Sequence, residues 1–172
     1  MRISIFAVII FLNFIISTTW LQAIAVGGIL PNTTLIIVVS YALLRDDVEG
    51  AIVGFGAGLL HDVFFSSTLG LTAMLMMFIG FLAGKPFRHF FKENYLAPIV
   101  LVAAASLVYE FAFYILNFLL VGRTDFLRYL GTVILPTAAY NLILCIFIYR
   151  FIYGINRRIT KHEDRKRGFM KK

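Results

Sequence analysis

The chain is poor in the side chains that usually carry chemistry. Only 15% of its 172 residues are charged, against about a quarter in an ordinary soluble domain. Its single cysteine, Cys145, excludes an intramolecular disulfide and a cysteine metal site. The apolar run around Cys145 marks it as a small buried residue. His61, His89 and His162 stand far apart, and neither HEXXH nor GXSXG occurs. No serine lies in a nucleophile motif, so neither a metal centre, a bound cofactor nor an intramembrane hydrolase is expected. Low-complexity tracts, internal repeats and a soluble domain are likewise missing, the longest loops being about a dozen residues.

What remains is apolar. Hydrophobic residues make up 60% of the chain, 18 residues are Phe, and the mean hydropathy is +0.89. A core of this size cannot hide that excess, so the bilayer is the solvent for much of it. Apolar runs at 3–21, 31–44, 50–65, 69–83, 95–121 and 129–153 read as six transmembrane helices. Three are short for a crossing and need tilt or flanking residues. The expectation is an all-α integral membrane protein, with one six-helix membrane domain over 1–156 and a basic tail over 157–172. Pro136 should bend the sixth helix near its outer end.

The net charge of +7 is unevenly placed. With the tail inside, Arg2, Arg45, Lys85, Arg88, Lys92 and the nine cations from Arg150 onward fall on the inner side, fourteen in all, against Arg123 and Arg128 outside. That asymmetry places both termini in the cytoplasm. The tail segment KHEDRKRGFMKK is too short and too close to a membrane helix to suggest nucleic-acid binding. It suits a topology anchor that touches anionic lipid. Arg2 and the A-x-A spacing of Ala23 and Ala25 also resemble a cleavable signal. A retained first helix is preferred, because no domain for export follows, and Trp20 then stands at the interface.

Two features depart from a plain apolar bundle. In GAIVGFGAGLLHDVFFSSTLG, Gly50, Gly54 and Gly58 recur every four residues and form a stripe for close helix approach. The helix ends at His61 and Asp62, a carboxylate that must find a protein partner or water. Adjacent helical residues point about 100° apart, so His61 and Asp62 do not act on one atom. The set Gly50, Gly54, Gly58, His61 and Asp62 is the candidate packing and partner interface. Gly80 and Gly84 repeat the spacing once, with less weight. The second feature is a polar stripe on the fifth helix, Ser106, Glu110, Tyr114 and Asn117, joined by Asn141 on the sixth. It should face the bundle interior or a partner. The turn RDDVEG at Arg45–Gly50 places Asp46, Asp47 and Glu49 where acidic residues suit a helix start.

Pro31 leading the second helix, the acidic turn, the glycine helix closing in G-L-L-x-D (Gly58, Leu59, Leu60, His61, Asp62) and L-G-L at Leu69–Leu71 together resemble the bacterial rod shape-determining protein family MreD. Size, six spans and the basic tail agree with it over the whole length. The resemblance implies a multi-pass protein of the bacterial cytoplasmic membrane, a non-catalytic scaffold or regulator of the elongation machinery that organises side-wall peptidoglycan synthesis. It implies MreC as a direct partner through membrane helices. MreB and the RodA–penicillin-binding-protein synthase would be indirect or weaker partners. It also implies a fold similar to the substrate-binding subunits of energy-coupling-factor vitamin transporters. Such a transporter subunit is the alternative function, although the A-x-x-x-A spacing common on its first helix is missing here, with Phe11 four residues after Ala7.

Overall fold

The computed structural model describes residues 2–19, 28–66, 68–85, 96–116 and 126–169. Its elements are α1 (Arg2–Thr19), α2 (Thr33–Leu44), α3 (Asp47–Phe65), α4 (Leu71–Gly84), α5 (Leu96–Tyr114) and a last helix, α6. α6 runs through Phe126–Tyr129, a π-helical segment Leu130–Ile134, and Leu135–Phe169. Among the described residues there is no β-strand. The helices follow the order of the apolar runs, and their ends have local causes. The side chain of Asn32 accepts from the Leu35 N–H at 3.0 Å, so α2 opens two residues beyond Pro31. Asp46 accepts from the Asp47 N–H at 2.9 Å and starts α3, whose first turn carries Asp47 and Glu49 toward the positive end of the helix dipole.

α6 departs from the expected run in two ways. It starts at Phe126, and it continues without a break past Asn156 to Phe169. Pro136 offers no N–H to the carbonyl four residues earlier. The ladder just ahead of it widens to π geometry, with the Leu135 N–H bonded to the Leu130 carbonyl. Thr132 turns its hydroxyl onto the Arg128 carbonyl at 2.7 Å.

The shortest helix lies at the centre. α2 is 12 residues long, about 18 Å by helical rise, against about 30 Å of hydrocarbon in a bilayer. It touches each of the five other helices. Leu35, Ile36 and Val39 meet Met76 and Ile79 of α4, Val102 of α5 and Cys145 of α6. Ile37, Val38 and Tyr41 meet Phe6 of α1, Val53 and Ala57 of α3 and Ile152 of α6. A helix apolar all round is stable only when surrounded in this way. Outward, Phe11 and Ile15 of α1, Phe55 and Val63 of α3, and Phe147 and Phe151 of α6 are exposed. That apolar coat is suited to lipid. Asp47–Phe65 and Phe126–Ile159 are each long and apolar enough to cross a membrane, and the other four helices are shorter apolar ones.

Candidate functional site

The glycine stripe is used inside the chain. Among the described helices α3 and α4 make the most extensive contact, and Gly50, Gly54 and Gly58 let their backbones approach. A Cβ on Gly50 would stand 2.7 Å from the Gly80 carbonyl oxygen, and one on Gly58 would stand 2.5 Å from Ala73 Cα. A Cβ on Gly54 would collide with the Met76 carbonyl. The reciprocal glycines complete the seam, Gly80 against Gly50 and Gly84 against Asp47. Two backbones therefore meet with no side chain between them, which is how helices gain dispersion energy where lipid supplies no hydrophobic drive. Gly56 lies on the other side of α3, exposed and with nothing within 4 Å of an added Cβ.

Asp62 closes the same hairpin. It is fully buried, and its Oδ2 accepts from the Gly70 N–H at 2.9 Å and the Ala73 N–H at 3.1 Å. Gly70 is the N-cap of α4, holds a φ of +96° and has no side chain with which to cap. The carboxylate eight residues earlier takes over that task, and the amides and dipole of the helix start offset its desolvation. Its Oδ1 is buried and has no hydrogen-bond partner among the described residues. His61 points elsewhere, its ring 5.3 Å from that of Phe65. G-L-L-x-D and L-G-L are thus two halves of one capping device.

The polar stripe divides into two. Ser106 and Asn141 are buried, and Asn141 Nδ2 donates to Ser106 Oγ at 2.9 Å while its Oδ1 accepts from the Asn32 N–H at 2.8 Å. This bridge fastens α5 and α6 to the start of α2. Tyr114 is also buried, with ring centroids 5.3 Å from Phe126 and 5.0 Å from Tyr129. Asn117 lies outside the described residues. Glu110 belongs to neither group: it forms no hydrogen bond or ion pair with any described residue.

Glu110 lines a pocket of about 380 Å³ beyond the N-terminus of α2. The space exists because α2 starts late, leaving a gap between the ends of α1, α3 and α5. Tyr109, Glu110 and Phe113 form one wall, and His61 and Phe65 another. Ser17 and Thr18 of α1 and the segment Leu30–Thr34 also line it. Asn13 Nδ2 donates to Thr34 Oγ1 at 3.1 Å and pins α1 to this rim. Asn141 is not among the lining residues, so Glu110 and Asn141 do not share this pocket. Thr33, Thr34 and Asn13 were not singled out by the sequence pattern. The Asn-Thr-Thr helix start after Pro31 and the four-residue spacing of Asn13 and Ser17 on an apolar helix carried the signal.

Both regions, the capped hairpin and the pocket, lie within a segment that a family comparison recognises. The model of the family described as rod shape-determining protein MreD matches residues 1–159. The chain belongs to the MreD family. It is therefore a membrane protein of a family that acts in determining rod shape, and its apolar coat agrees with that location. No curated protein and no solved structure matches the chain.

Proposed function

We propose that this MreD-family protein is a non-catalytic scaffold of the bacterial cell-elongation complex that organises side-wall peptidoglycan synthesis. The observation that carries the reading is the family match over residues 1–159. In this reading all six helices span the cytoplasmic membrane. Arg45 and Lys85 lie at the inner end, and His61, Asp62 and the pocket at the outer end. The bundle shares its architecture with the substrate-binding subunits of energy-coupling-factor transporters. The shape-determining family leaves the vitamin-transporter function itself without support.

The packing suggests how such a scaffold works. The glycine seam makes α3 and α4 one stiff unit, since any separation leaves two backbones facing a void. The opposite face of α3, with Phe55, Gly56 and Leu59 exposed, is held in place by that seam. MreC is the direct partner, docking a membrane helix on the surface the hairpin braces. MreB and the RodA–penicillin-binding-protein synthase are reached less directly, and the basic tail holds anionic lipid. Depletion of the protein in its own host tests the reading, with cell outlines and labelled wall-precursor incorporation followed together. Rods should round up and lose ordered side-wall synthesis. Normal rods with normal incorporation, in a host with no second copy, overturn it.

A further inference from the structure

We propose that the pocket beyond the α2 N-terminus binds an organic ammonium group, held by the Glu110 carboxylate and the aromatic wall of Tyr109, Phe113 and Phe65. Asp62 and Glu110 both stand near the C-terminal ends of apolar helices, and their surroundings differ. Asp62 is met by two backbone amides, whereas no described residue donates to Glu110. Among the described residues no lysine or arginine lines the pocket, and the basic group there is His61 on α3. A carboxylate in apolar surroundings is stabilised by a cation brought to it.

The walls say which kind of cation. Tyr109 and Phe113 lie with ring centroids 5.9 Å apart and planes at 26°, forming a flat aromatic surface beside Glu110. Phe65 stands on the facing helix. Aromatic faces attract ammonium and alkylammonium groups, most strongly where water is scarce. A bare metal ion is a poor fit: among the described residues no three His, Cys, Asp or Glu groups converge, and hard cations take six or more oxygens. About 380 Å³ is also the size of a small-molecule site, not an ion site. Thr33 and Thr34 offer hydroxyls to a second polar group on the same ligand.

Two sources carry this chemistry, the headgroup of phosphatidylethanolamine and a free small amine. Full-length protein is reconstituted in phosphatidylglycerol nanodiscs with and without phosphatidylethanolamine. Retained lipid is counted by native mass spectrometry, and ethanolamine binding is followed by calorimetry. The expected result is retention of phosphatidylethanolamine about tenfold above Glu110→Gln, with the melting temperature unchanged. Ethanolamine binding without lipid preference assigns the site to a free amine. Competition on the unaltered protein makes the test independent of the variant's folding. Ethanolamine should displace the bound amine and ethylene glycol, its neutral analogue in size, should not. Equal displacement by both, equal binding by Glu110→Gln, or no binding of either probe overturns the proposal. Absent probe binding with loss of MreC from Glu110→Gln assigns the carboxylate to a protein contact and also overturns it.

Discussion

The α3–α4 hairpin and the pocket beside it use the same ingredients to opposite ends. Each has an acidic side chain at the same end of an apolar helix, and each lies where two or more helix termini converge. In the hairpin the fold itself supplies the contacts. Gly50, Gly54 and Gly58 let the backbones touch, and Asp62 receives the amides of Gly70 and Ala73. In the pocket the helices stand apart by the length that α2 lacks, and Glu110 receives nothing from the described residues. A carboxylate on an apolar helix is thus a structural part when the fold supplies its donors, and a place for something else when it does not.

The largest expected effect would break the comparison at its base. Gly54→Leu should cost about 3 kcal/mol or more, because the new side chain meets the Met76 carbonyl. Gly56→Leu, on the same helix with open space around it, should stay within about 0.5 kcal/mol. Melting of both variants in detergent reads the difference, and equal loss would show that α3 and α4 do not meet along this seam. Next in size is Asp62→Ala, which strips the cap from α4 and should lose about 1–2 kcal/mol, with Asp62→Asn losing less. If Asp62→Ala melts like the parent yet fails to restore cell shape, the carboxylate serves a partner and not the fold.

Asn141→Leu should cost about 1 kcal/mol by opening the bridge from Asn32 to Ser106. Combining it with Ser106→Ala should cost less than the sum of the two, since both remove one shared bond. Full additivity in the melting data would dissolve the bridge. The smallest effect on stability belongs to Glu110→Gln, within about 0.5 kcal/mol, because no bond within the described fold is lost. A loss as large as that of Asp62→Ala would remove the contrast between the two carboxylates.

Some of this was legible in the chain and some was not, for reasons that differ by residue. Helical periodicity showed that Gly50, Gly54 and Gly58 share a face, and their size showed that a backbone would come close. It did not say whose backbone, and Gly80 and Gly84 were undervalued because two glycines four apart are common in membrane helices. The 100° step also put Ser106 and Glu110 on one side of α5. Spacing along one helix carries no information on the level at which a neighbouring helix begins. That level, set by Asn32 capping α2, is what leaves Glu110 in open space while Ser106 meets Asn141.

Composition and local pattern alone determined the membrane class, the order of the helices and the family motif. These follow from transfer of apolar runs out of water and from hydrogen bonds closed within one helix, both of which are local. The tertiary structure decided what each polar residue is for. Asp62 and Glu110 are alike as intramembrane carboxylates in sequence. Their roles part only when packing brings the Gly70 amide to 2.9 Å from the one and leaves a cavity before the other.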